Sequence, residues 1–204
     1  MRERAGRALV AAVIAGLIVG ALTQLGQRLL PDAVQPVANS ISPWLSLSFA
    51  VGAVSRGPRL AALGGWLSLV FALVGYYVLV EVQFGYGAST SSLVLWGAAS
   101  LLGGLVFGPA GWLWRNGSSV QRAIAAGLLA AAFVAEAAYL FVVLQPEAKP
   151  ASALFLVIGL ALPMFLARSW SQRRLAYLAV VPSLGLAVLG YVCLLAFGSI
   201  AAGI

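Results

Sequence analysis

Residues 55–85 decide the fold, and they read SRGPRLAALGGWLSLVFALVGYYVLVEVQFG. Between Arg59 and Glu81 this stretch has no charged residue. A helix needs roughly 20 mostly apolar residues to span a bilayer. The stretch therefore predicts a transmembrane helix over 59–81, with helix breakers before it at Gly57-Pro58 and after it at Gly85.

Six further apolar segments surround this one. The predicted helices cover 7–28, 38–55, 59–81, 91–113, 121–144, 151–167 and 174–198. Of the 204 residues, 62% are hydrophobic and 8% charged, whereas roughly 25% are charged in soluble domains. This composition excludes a soluble fold. It predicts an all-α, polytopic transmembrane helix bundle in which residues 1–204 form a single domain.

The basic residues predict the orientation of the bundle. With the N-terminus in the cytoplasm, ten of the 12 basic residues become cytoplasmic: Arg2, Arg4, Arg7, Arg56, Arg59, Arg115, Arg122, Arg168, Arg173 and Arg174. Arg28 and Lys149 then fall outside. This is the asymmetry of the positive-inside rule, and it places the C-terminus outside. The net charge of +7 therefore indicates membrane topology, and we expect no nucleic-acid partner.

Two segments allow alternatives. The second helix contains Asn39, Ser40, Ser42 and Pro43, so it could be a re-entrant loop. A full span is favoured, because without it every later loop would change sides of the membrane and the arginines of those loops would lie outside. The first segment could be a signal peptide cleaved near residues 19–21, which would leave six helices in the same orientation. Against cleavage, its apolar stretch continues to residue 30.

The spacing of arginine and tyrosine suggests an internal repeat. In the second and third, fourth and fifth, and sixth and seventh helices, a tyrosine follows an arginine after seventeen residues: Arg59 and Tyr76, Arg122 and Tyr139, Arg174 and Tyr191. Gln24 follows Arg7 at the same distance, so the first helix could be a half-repeat. The spacing predicts one helix plus three tandem helical hairpins. Coincidence is the alternative, because alanine and glycine are abundant throughout.

The residues that carry common enzyme chemistry are missing or scattered. The chain has no histidine, so a Ser–His nucleophile and histidine-based zinc motifs are excluded. Its five acidic residues lie on separate segments, whereas a magnesium site needs clustered oxygen ligands. We therefore expect no enzymatic activity, no cofactor and no metal.

Glu136 is the main candidate for a functional residue. It lies fourteen residues after Arg122, about 21 Å along a helix, and a carboxylate inside a membrane is costly and suggests a site by default. Tyr139 shares its helix face, and the predicted repeat brings Gln24, Tyr76 and Tyr191 to the same depth. These five residues form a candidate ligand-binding or proton-coupling layer. The structural alternative is a neutral glutamic acid hydrogen-bonded between helices.

Other small and aromatic residues have simpler interpretations. The pairs Gly16 and Gly20, and Gly104 and Gly108, permit close helix contact and predict packing within the bundle. The tryptophans near helix ends, including Trp44 and Trp96 at the outer ends, are typical of interface anchors.

One stretch resembles a known family. It carries Trp44, Phe49, Gly52, Arg56, Arg59, Gly64 and Gly75-Tyr76-Tyr77. Over about 40 residues it is similar to a bacterial family of small multi-pass membrane proteins known only as a domain of unknown function. The resemblance implies the bacterial plasma (inner) membrane and no known catalytic or binding residues. We predict a small-solute transporter or its substrate-binding membrane subunit. The alternative is a non-catalytic accessory or scaffold protein that packs against a membrane protein partner; in either case the lipid bilayer surrounds the chain.

Overall fold

The computed structural model describes residues 2–38, 40–143 and 148–202, and in these ranges the chain is helical and has no strands. The helices are α1 (Arg2–Leu29), α2 (Gln35–Ala38), α3 (Ile41–Val54), α4 (Pro58–Phe84), α5 (Thr90–Asn116), α6 (Ser119–Val143), α7 (Lys149–Leu166) and α8 (Trp170–Ala202). Seven described segments are long and apolar enough to span a membrane, with α2 and α3 together forming one of them. The predicted all-α fold with seven helices of transmembrane length is confirmed.

The observed helices run past the predicted ones at most ends. The helix predicted over 59–81 covers Pro58–Phe84, because hydropathy marks the apolar part of a helix while its backbone hydrogen bonds continue into polar flanks. Gly85 ends α4 in the left-handed conformation with φ of 70°, which glycine adopts without a steric penalty. The predicted end of the fifth helix at residue 144 lies outside the described residues.

The second predicted helix, 38–55, is broken, which corrects the prediction of a continuous helix. Ser40 is extended between α2 and α3, with φ of −110° and ψ of 145°. Pro43 favours a helix start here, because it has no N–H and its ring would clash with the carbonyl four residues earlier in a longer helix, whereas the first turn of α3 accommodates it. Asn39 lies outside the described residues.

The helices alternate in direction, so the bundle has two distinct ends. We call the end with the α3–α4, α5–α6 and α7–α8 connections the arginine end. Hydrogen bonds from Trp114 Nε1 to the carbonyl of Leu166, and from Gln172 Nε2 to Ser119 Oγ, both 2.9 Å long, link the helices there. We call the opposite end, where α3 begins and α4 ends, the polar end.

Glycine lets the helices approach closely within the bundle. A Cβ at Gly20 would collide with the carbonyl oxygen of Ala72 on α4, and a Cβ at Gly108 would collide with that of Ala61. These contacts bring α1 and α5 against α4, so the predicted role of the glycine pairs in internal packing is confirmed at both pairs.

The helices form two groups joined at the centre. In one group α1, α3 and α5 surround α4, and in the other α7 and α8 pack against α6; α3 and α5 contact α6 between the groups. The three hairpins differ in packing, since α3 lies along α4 whereas α7 and α8 touch at few positions. The threefold repeat remains a prediction.

Candidate functional site

Glu136 lies on α6 at the polar end, where its side chain is 3% exposed. Its carboxylate accepts two backbone hydrogen bonds from the start of α3: Oε1 from the N–H of Ile41 at 2.8 Å and Oε2 from the N–H of Ser42 at 2.7 Å. The first N–H groups of a helix have no partner within the helix, and Ser40 forms no side-chain cap here. Glu136 therefore acts as the cap of α3 from another helix.

The cap accounts for the N–H groups at the first three residues of α3. Pro43 has none, and Glu136 binds those of Ile41 and Ser42. A carboxylate suits this position, since the N-terminus of a helix carries partial positive charge. The geometry thus gives a buried acidic side chain its compensating partners, as a buried charge requires.

A pocket of about 120 Å³ lies beside this cap, and Ile41 is one of its lining residues. Residues from α1, α3, α4 and α5 line it, together with Ser40 before α3. Its aromatic and hydroxyl-bearing residues are Thr23, Ser40, Trp44, Tyr76, Tyr77, Trp96 and Ser100. Aliphatic side chains, among them Ile41 and Leu45, complete the lining. Ile41 therefore touches the pocket and gives its backbone N–H to Glu136.

Hydrogen bonds behind the lining fix the pocket residues. The indole Nε1 of Trp44 donates to Thr23 Oγ1 at 2.9 Å, and Thr23 Oγ1 donates to the carbonyl of Val19 at 2.9 Å. The Tyr76 hydroxyl donates to Gln27 Oε1 at 3.1 Å. These bonds tie α3 and α4 to α1, so three of the pocket's four helices are held in register.

The five residues predicted to form one polar layer occupy different surroundings. Tyr76 lines the pocket, whereas Glu136 does not line it and binds the backbone N–H of the lining residue Ile41. Gln24 is 4% exposed; its Nε2 donates to Gln83 Oε1 at 3.2 Å, while its own Oε1 has no hydrogen-bond partner among the described residues. Tyr139 packs against the apolar core of α6 and its neighbours. The side chain of Tyr191 lies outside the described residues.

Sequence reasoning did not identify several pocket residues. Trp44 and Trp96 were assigned to the interface, because tryptophan near a helix end is typical of both an anchor and a pocket wall. Tyr77 and Ser100 had no assignment. The signal that could have found Trp44 and Tyr77 was their coincidence in the stretch that resembles a known family, and no such signal covered Trp96 and Ser100.

These features define a class, the multi-pass α-helical membrane proteins. The chain belongs to a family of unknown function, DUF6518, which it matches over residues 1–197. This confirms the resemblance to a domain family of unknown function. No curated protein and no solved structure matches the chain.

Proposed function

We propose that the protein binds a small solute in the pocket at the polar end and carries it across the membrane, alone or as the substrate-binding subunit of a larger transporter. The observation that supports this function most is the pocket itself. It is concave and lined mostly by apolar and aromatic residues, with a few hydroxyl-bearing residues among them, as small-molecule sites are.

The break between α2 and α3 supports the same proposal. In many secondary transporters the substrate site is formed where a membrane helix is discontinuous and a half-helix begins. Here α3 begins at the pocket wall, with Ile41, Trp44 and Leu45 all lining the pocket. A short shift of the first turn of α3 would change the shape of the pocket, which a transport cycle requires.

The proposal includes an orientation. The N-terminus lies in the cytoplasm and the C-terminus outside, as the distribution of arginine favours. The membrane is the plasma (inner) membrane of a bacterium, as the family resemblance implies. The pocket then lies towards the outer side of the membrane. A reporter active only in the cytoplasm should work when fused after Arg59, Asn116 or Arg174, and should be silent after Gly87 or Lys149. The opposite pattern at two of these sites would overturn the orientation.

The accessibility of the pocket tests the proposed function. In a Cys193→Ser background, Ser100→Cys should react with a small, membrane-impermeant thiol reagent, because residue 100 is a pocket residue. Ser152→Cys is the matched control. Ser100 and Ser152 are both buried, 5% and 7% exposed, but Ser152 is not a pocket residue and donates to the carbonyl of Ala137 instead. If residue 100 fails to react from either side of the membrane, the solute-binding function is contradicted.

The second candidate is the accessory or scaffold role. It is favoured by Glu136, whose carboxylate is buried against backbone rather than aimed into the pocket. It is also favoured by α8, where Leu178, Val181 and Leu186 expose two-thirds or more of their surface to lipid or to a membrane protein partner. Neither candidate involves enzymatic chemistry or nucleic acid, and the three-hairpin repeat is compatible with both.

A further inference from the structure

Aromatic rings from three helices border the pocket. Trp44 comes from α3, Tyr76 and Tyr77 from α4, and Trp96 from α5. The rings of Tyr76 and Tyr77 meet edge to face, with centroids 5.1 Å apart and planes at 88°. The faces of aromatic rings carry negative electrostatic potential, and tryptophan and tyrosine attract cations more strongly in a site shielded from water.

Four of the seven lining side chains that carry a hydrogen-bond donor use it within the protein. Trp44 Nε1, Tyr76 OH and Thr23 Oγ1 each donate to a protein oxygen, and Ser40 Oγ donates to the carbonyl of Pro36 at 2.6 Å. Among the described lining residues none is charged, so none would pair with an anion, whereas four aromatic rings border the pocket and their faces suit a positively charged ligand.

The pocket also discriminates among cations. Within the described residues, none of those that line it is charged. The nearby carboxylate of Glu136 uses both oxygens on the backbone of α3. A primary ammonium group needs acceptors for three N–H bonds. A fully alkylated ammonium group has no N–H to satisfy and presents an apolar surface to the rings, so it matches this lining better.

The size of the pocket fits such a group. Its volume of about 120 Å³ is somewhat below the roughly 150 Å³ of a cavity that holds benzene. We infer that the pocket binds a quaternary ammonium group, carried by a free solute or by a lipid head group. This inference rests on the proposed function insofar as it takes the pocket to be a ligand site.

The test compares choline with 3,3-dimethyl-1-butanol, which has the same shape without the charge. The full chain is purified in a maltoside detergent, which lacks ammonium groups, and the two dissociation constants are measured by calorimetry or tryptophan fluorescence. We expect choline to bind at least tenfold more tightly, because the cation–π attraction is absent for the neutral probe. Equal binding, tighter binding of the alcohol, or no binding of choline would overturn the inference. The thiol labelling of residue 100 tests the proposed function separately.

Variants of one tryptophan locate the effect. Trp96→Leu should weaken choline binding about tenfold, and Trp96→Phe, which keeps a ring, should weaken it less. Trp112→Leu is the control, since Trp112 lies on the same helix at the arginine end and does not line the pocket. Equal losses at residues 96 and 112 would contradict a ring-specific role, and the comparison of probes on the unmodified chain remains decisive if a variant fails to fold.

The source of the ligand is distinguished in lipid nanodiscs. Choline binding is measured in discs of phosphatidylglycerol and in discs that also contain phosphatidylcholine. Weaker choline binding in the second kind would identify the lipid head group as the ligand, because it competes for the pocket. The same affinity in both would identify a free solute.

Discussion

The two sides of the first turn of α3 hold different kinds of polar environment. On one side the carboxylate of Glu136 is enclosed by protein and bound to two backbone N–H groups. On the other side an open pocket is bordered by uncharged aromatic and hydroxyl groups. Ile41 belongs to both, since its N–H binds Glu136 and the residue lines the pocket.

The comparison shows that the most conspicuous residue of a membrane segment need not be the ligand-binding one. A charged group in the membrane interior is costly without partners, so Glu136 is surrounded by the groups that compensate it and is closed to a ligand. Tryptophan and tyrosine carry no such cost and can border an open space. In this reading Glu136 is a positioning residue, because it fixes the turn that carries Ile41 and Trp44.

Glu136→Leu should have the largest effect on stability, and it tests whether the enclosed carboxylate caps α3. It leaves two buried N–H groups without partners, at a cost of about 1–3 kcal/mol each. We expect a marked loss of stability in denaturant unfolding of the purified protein. Glu81→Gln is the control, since Glu81 is exposed near the end of α4 and its replacement should change little. Equal stability of the two variants would contradict the capping role.

Glu136→Gln should have an intermediate effect on stability, and it tests whether the cap of α3 needs both carboxylate oxygens. The amide oxygen can accept one of the two N–H groups, but the amide NH₂ then faces the other N–H, donor against donor. We expect a loss of about 1–3 kcal/mol in the same unfolding measurement, and weaker choline binding as the first turn of α3 shifts. A glutamine variant as stable as the parent would show that one oxygen is enough and that the two-oxygen cap is not needed.

Tyr76→Phe should have the smallest effect on stability, and it tests whether the ring or the hydroxyl of this pocket residue matters for binding. The substitution removes the hydroxyl bond to Gln27, with an expected loss of about 0.5–1.5 kcal/mol, but keeps the ring. Choline affinity should fall less than twofold, because the ring face and not the hydroxyl attracts the cation. A loss as large as that of Trp96→Leu would assign binding to the hydroxyl instead.

Sequence alone predicted the seven apolar spans but neither the break in the second one nor the site. Apolar runs of about 20 residues identify spans because a bilayer admits few alternatives. Ser40 and Pro43 indicated a weak second span, yet the break itself depends on Glu136, which follows Ile41 by 95 residues. No local pattern reports a side chain that caps a distant helix through its backbone.

The pocket was missed for a different physical reason. A tryptophan near a helix end, such as Trp44 or Trp96, can face either lipid head groups or a cavity, because an amphipathic ring suits both places. The sequence does not distinguish the two. The separation of Trp44 and Trp96 along the chain does not show that α3 and α5 lie side by side. Packing through small residues decides that, as where a Cβ at Gly111 would collide with the carbonyl oxygen of Phe49.

The cap on α3 also sets an order of events during synthesis. Ile41 and Glu136 are 95 residues apart, and ribosomes add roughly 5–20 residues per second. The first turn of α3 is therefore made roughly 5–20 s before the carboxylate that completes it. Unpaired N–H groups are not tolerated in hydrocarbon, so we expect residues 35–54 to reach their final depth after α6 has been inserted. The second span in chain order is then among the last to settle.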